Sequence, residues 1–89
     1  MVRVISQGEL FEMDVEGEPV TEGFWLRSLD DAYELFRANY IDLRTLDRIK
    51  DAYYNVMYNH PKGTRQAISL LRHQDGHWII YQRLLGVFE

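Results

Sequence analysis

Residues 42–59 read DLRTLDRIKDAYYNVMYN, and this stretch decides how the rest of the chain is read. At about 100° per residue, Leu43, Leu46, Ile49, Ala52, Tyr53, Val56 and Met57 fall on one broad face of a helix. Arg44, Asp47, Arg48, Asp51 and Asn55 fall on the opposite face. Asp42 is the expected N-cap, because a short acceptor side chain satisfies a free N–H of the first turn. Ile41 and Leu46 stand at the spacing of a hydrophobic staple, which sets the angle at which the chain enters the helix. Asn59-His60-Pro61-Lys62-Gly63 is a stop signal. Tyr54 and Tyr58 lie one turn apart at the edge of the apolar face, beside Asp47 and Asp51.

Immediately upstream, Leu29, Ala32, Tyr33, Leu35, Phe36 and Tyr40 repeat at helical spacing, with Asp30, Glu34 and Arg37 on the other side. Ser28 is the expected cap, and Asp30 and Asp31 suit the positive end of the dipole. Asn39 would interrupt the apolar face, so it is expected to end the helix in the left-handed conformation. Two helices joined by so short a connector predict an antiparallel pair.

On either side the periodicity changes to two. Met1–Ile5 is β-branched and suits an edge strand. Over Glu9–Val15, Phe11, Met13 and Val15 alternate with Glu12 and Asp14, the pattern of a half-buried strand. Glu16-Gly17-Glu18-Pro19 reads as a turn and Val20–Arg27 as its returning strand. Gly23 within that strand marks a bulge or a close approach. Downstream, Thr64–His73 carries a short helical stripe of Ala67, Ile68 and Leu71. The turn signal Gln74-Asp75-Gly76-His77, followed by Trp78-Ile79-Ile80-Tyr81, nevertheless favours a second hairpin. A two-residue turn there pairs His73 with Trp78, Leu71 with Ile80 and Leu70 with Tyr81. Gly86 precedes a bent continuation over Val87–Glu89.

The expected architecture is a single α+β domain over residues 1–89. An antiparallel sheet of about four or five strands from two hairpins is packed against an antiparallel helix pair, in the order β-β-α-α-β-β. An apolar fraction of 46% with 13% aromatics argues against a disordered chain. There is no cysteine, so thiol catalysis and thiolate metal sites are excluded, and a cytoplasmic setting is expected. No run approaches the ~20 apolar residues of a spanning helix, so no membrane association is expected.

Nothing in the chain has the form of a phosphate loop, a nucleophile elbow or a tuned carboxylate pair. An enzyme is not expected, and neither is a cofactor. His73, Asp75 and His77 offer two imidazoles and a carboxylate within five residues. In a two-residue hairpin, however, the histidines are not directly paired. The expectation is no metal, with His73 stacked on Trp78.

Charge is uneven. Glu9, Glu12, Asp14, Glu16, Glu18, Glu22, Asp30, Asp31 and Glu34 outweigh Arg3 and Arg27 in the first part, while bases outnumber acids in the remainder. The function this favours is a non-catalytic protein–protein interaction module. Its type is that of the small acidic inhibitors and regulators of bacterial viruses and mobile elements, anti-defence proteins among them. The acidic hairpin (Glu9, Glu12, Asp14, Glu16, Glu18, Glu22) would enter a basic groove on a nucleic-acid enzyme. Asp47, Asp51, Tyr54 and Tyr58 would form a second contact surface. The same features admit a homodimer. The alternative is a small nucleic-acid-binding regulator using Lys62, Arg65, Arg72, His73, His77, Trp78, Tyr81 and Arg83, where bases and aromatics interleave.

Overall fold

The computed structural model describes residues 2–12 and 19–87. Along the chain the elements are β1 (Arg3–Val4), α1 (Gln7–Glu12), β2 (Val20–Leu26), α2 (Leu29–Arg37), α3 (Leu43–Asn59), β3 (Thr64–His73) and β4 (Trp78–Val87). The strands form one antiparallel sheet in the order β1-β2-β3-β4. The α+β class and the four-stranded sheet agree with expectation; the order β-α-β-α-α-β-β does not.

The difference lies at the N-terminus, where a helix replaces the first strand of the expected hairpin. Ser6 and Glu9 form a capping box: the Glu9 N–H donates to Ser6 Oγ at 3.2 Å, and the Ser6 N–H donates to Glu9 Oε1 at 3.3 Å. Two otherwise unpaired donors are thus satisfied reciprocally. Burial follows the helix. Leu10 is 5% exposed and packs with Ile5 and Leu71, whereas Phe11, which strand alternation would turn inward, is 91% exposed. The expected strand residues from Met13 onward, and the turn at 16–18, lie outside the described residues.

β3 carries the core on both sides. Successive strand residues point to opposite faces, and Leu70 and Leu71 are both fully buried. Leu70 joins Phe24, Leu26, Ile68 and Trp78 under α2 and α3, which contribute Ala32, Leu35, Leu46 and Ile49. Leu71 joins Ile5 and Leu10 on the opposite face. Gly23 pairs with Leu71 and leaves room for this second cluster. A Cβ there would lie 2.7 Å from Leu71 Cδ2 and 2.9 Å from Ile5 Cδ1. The close approach anticipated at Gly23 is real, and the β2–β3 irregularity falls nearby, between Val20 and Glu22.

Helix ends match the sequence in part. Asn39 adopts φ 63, and the bonds Tyr40 N–H to Leu35 O and Asn39 N–H to Phe36 O, both 3.0 Å, close α2 in a Schellman motif. Ser28 occupies the N-cap without a side-chain bond. Asp31 turns back instead and accepts the Arg27 N–H at 2.8 Å, which accounts for its burial. The staple pair Ile41 and Leu46 is buried in the main cluster. Two glutamines then pin α3 to the sheet. Gln66 Nε2 donates to Tyr53 O at 3.2 Å and Gln82 Nε2 to Ala52 O at 3.0 Å, and the two amides bond each other.

The second hairpin forms, shifted by one residue. Arg72 pairs with Trp78, Leu71 with Ile79 and Leu70 with Ile80. The loop contains three residues rather than two: Gly76 N–H donates to His73 O at 2.9 Å, His73 N–H to His77 O at 2.8 Å, and Gly76 has φ 100. This is a turn followed by a left-handed glycine, for which only Gly has low cost. Gly23→Ala is expected to lower stability by about 1–3 kcal/mol through overpacking against Leu71 and Ile5, as measured by urea denaturation.

Candidate interaction surface

α3 places the tyrosines. Asp42 Oδ1 accepts the Thr45 N–H at 2.9 Å and opens the helix in the expected phase. The Thr45 hydroxyl and then the Thr45 N–H hold the Asp42 carboxyl below the usual carboxylate range. Leu46, Ile49 and Val56 face the sheet, and Tyr53 is half-buried. Leu43 and Met57, read from the sequence as part of the apolar face, instead lie exposed on its margins.

Tyr54 is 43% exposed, Met57 55% and Tyr58 84%, so the C-terminal half of α3 presents a contiguous apolar surface. The rings are ordered against one another. Tyr53 and Tyr54 meet edge to face at 5.7 Å, and Tyr54 and Tyr58 lie 6.3 Å apart at 32°. Asp47 and Asp51 are exposed and continue the same stripe toward the helix N-terminus, at the i, i+4, i+7, i+11 spacing that ends on Tyr58. Lys50 lies 5.9 Å over the Tyr33 ring, and its hydrogen bond with Tyr33 holds its ammonium pKa above the ordinary value.

Of the acidic set, the structure describes the side chains of Glu9 and Glu22, and both are engaged within the fold. Glu9 is the hub of an internal network: besides Ser6 it accepts from Arg3 at 2.9 Å and from Trp25 Nε1 at 3.3 Å. The Ser6 backbone bond leads in keeping its carboxyl below the usual range. Glu22 is bonded to Arg72 at 3.1 Å across the sheet. The side chain of Glu12, and all of Asp14, Glu16 and Glu18, lie outside what the structure describes.

The basic and aromatic set is brought together only in part, at the β3–β4 tip. Arg72 is held by Glu22 and covers the Trp78 ring at 5.1 Å, and Trp78 is buried on the helix side. Tyr81 and Arg83 alternate onto the opposite face, while Lys62 sits in the α3–β3 turn and Arg65 is exposed on β3.

At the β3–β4 tip, His73 and His77 stack on each other at 4.5 Å and 19°; His73 does not stack on Trp78 as expected. The three-residue loop causes this, because it makes the histidines the closing pair. Ligand atoms of His73, Asp75 and His77 lie within 4.8 Å of one another. Their polar atoms serve the turn. His73 Nδ1 accepts the Asp75 N–H at 3.1 Å, Asp75 Oδ1 accepts the His77 N–H at 3.0 Å, and the His77 ring bonds the same oxygen. Stacked imidazoles direct their in-plane lone pairs alongside each other, whereas a tetrahedral ion needs them to converge. An open cleft of about 710 Å³ adjoins the tip, where His77 and Trp78 face Tyr40, Asp42, Arg44 and Arg48. The two arginines there further disfavour a cation.

No protein-family model, curated protein or solved structure matches the chain. No helix among the described residues is long and apolar enough to cross a membrane.

Acid titration tests the anchoring of α3. A carboxyl whose folded pKa is depressed stabilises fully above its unfolded pKa, and the contribution disappears as pH falls through the folded value. Asp42→Asn keeps an acceptor but does not titrate. Its thermal midpoint is therefore expected to fall less steeply than wild type between about pH 6 and pH 2, and Asp42→Ala is expected to be less stable than wild type at the upper end of that range.

Proposed function

We propose that this protein is a non-catalytic protein-binding module whose contact surface is the exposed stripe of α3, Asp47, Asp51, Tyr54 and Tyr58 with Met57 beside it. The observation that carries this reading is the exposure of Tyr58, Met57 and Tyr54 together, on a helix whose other face is firmly held. Exposed apolar area rimmed by charge is the usual form of a contact surface. Tyrosine suits it because the ring covers much area at low entropic cost and keeps a polar tip.

The stripe also suggests the chemistry of the partner. Carboxylates at one end and phenols at the other suit an apolar groove with a basic rim. Enzymes that handle nucleic acid present such grooves, so the reading as a small inhibitor or regulator, of the kind made by viruses and mobile elements, is supported here by the α3 stripe. Among the described residues, Glu9 and Glu22 are occupied within the fold, whereas Asp47 and Asp51 are exposed on the stripe and placed to steer association.

The test is capture from a native-host lysate, with wild type and the Tyr54→Ala/Tyr58→Ala double variant as parallel baits, followed by affinity measurement on the partner retained. Tyr58→Ala is expected to weaken binding by about tenfold or more and to leave the thermal midpoint within about 4 °C of wild type. Asp47→Lys with Asp51→Lys is expected to slow association and reduce its salt dependence. A partner that binds wild type and the double tyrosine variant equally well, or retention of nucleic acid alone, would overturn the proposal.

A further inference from the structure

β4 is an open edge. Among the described residues it pairs with β3 alone, and β3–β4 is the last pair in the sheet order. It is ten residues long and contains no proline or lysine; its one charged residue is Arg83. Long edges without a bulge, a lysine or a proline in their accessible part are templates for another strand.

The ladder shows which groups face outward. His73 and His77 are a hydrogen-bonded pair, so by antiparallel alternation Ile79, Tyr81 and Arg83 bond β3. Trp78, Ile80, Gln82 and Leu84 therefore turn their N–H and C=O away from the sheet. At one end the Trp78 carbonyl is already occupied, accepting from Arg48 at 3.2 Å. At the other, the register shift between Arg65 and Gln66 leaves Leu85 without a cross-strand partner. Between these stops, Ile80–Leu84 is a free edge flanked by exposed apolar side chains, with Tyr81 at 40% and Leu84 at 44%.

We infer that this edge pairs with the same edge of a second copy, antiparallel, about a two-fold axis at Gln82. That register is self-complementary. Gln82 forms a hydrogen-bonded pair with Gln82 of the second copy, and Ile80 with Leu84, so every free backbone group of the segment is satisfied. Tyr81 then lies opposite Arg83 of the second copy in the non-hydrogen-bonded position, where side chains approach most closely and a ring can meet a guanidinium. An axis at Arg83 would set two guanidinium groups against each other, and an axis at Ile80 would require the Trp78 carbonyl held by Arg48. The pairing uses neither Tyr54 nor Tyr58 and is independent of the proposed partner.

The experiment is sedimentation equilibrium on the wild-type chain between roughly 10 µM and 1 mM, with amide exchange followed by NMR at both ends of that range. A monomer–dimer equilibrium is expected, with Ile80, Gln82 and Leu84 amides becoming protected as concentration rises while Tyr81 and Arg83 are protected throughout. Leu84→Lys is expected to shift the dissociation constant at least about tenfold toward monomer. A chain that is monomeric at the highest concentration, or a dimer in which Ile80, Gln82 and Leu84 exchange as fast as in the monomer, overturns the inference. The exchange measurement uses wild type, so it decides the matter even if the variant fails to fold.

Discussion

The burial of adjacent residues Leu70 and Leu71 on opposite faces of one strand is the constraint on which the structure depends. A strand in a two-layer protein needs one apolar face; β3 needs two. The helix pair α2 and α3 meets the first demand. The second falls to a short segment, Ile5 and α1, which closes over Leu71 by way of Gly23. The small helix is too short to be stable by its own propensity. It persists because Leu10 is buried and because Ser6 and Glu9 satisfy its first turn.

That division explains what could be read from the chain. Asp42, the Ile41–Leu46 staple and the left-handed Asn39 are local signals, each resting on neighbours within a few residues, and all three appear as read. Phe11, Met13 and Val15 also formed a local signal, but it competed with another. The sequence Ser6-Gln7-Gly8-Glu9 is a capping box, and alternation in the following residues concealed it. What settles the competition is the need of Leu71 for a cover, and that is non-local. The hairpin register failed for a related reason. Asp75-Gly76 suits a two-residue turn as well as a three-residue loop, and only the left-handed Gly76, with His73 and His77 closing the ladder, separates them.

The site was legible as a list of residues but not as a surface. Counting acids marks Glu9 and Glu22 as free charge, yet both are internal partners, one to Arg3, Trp25 and Ser6 and the other to Arg72. The exposure of Tyr54 and Tyr58 could not be decided from periodicity, because a helix margin is equally consistent with a covered seam. Tertiary structure decides it: Gln66 and Gln82 bond the Tyr53 and Ala52 carbonyls, which fixes the rotation of α3 about its axis and leaves Met57 and Tyr58 outside.

Gln82 joins the two surfaces. Its side chain holds α3 through the Ala52 carbonyl, while its backbone lies on the outward side of the β4 edge. A strand added at that edge would leave the Gln82 side chain on α3, so the proposed pairing of two copies is compatible with the rotation that exposes the tyrosines. A dimer paired in this way would carry two α3 stripes on one continuous sheet. A partner with a single groove gains nothing from this, whereas one that is itself two-fold symmetric meets the second stripe at an effective concentration far above that in solution. The proposed symmetry at β4 would thus favour symmetric partners over monomeric ones, although no residue of β4 need touch either.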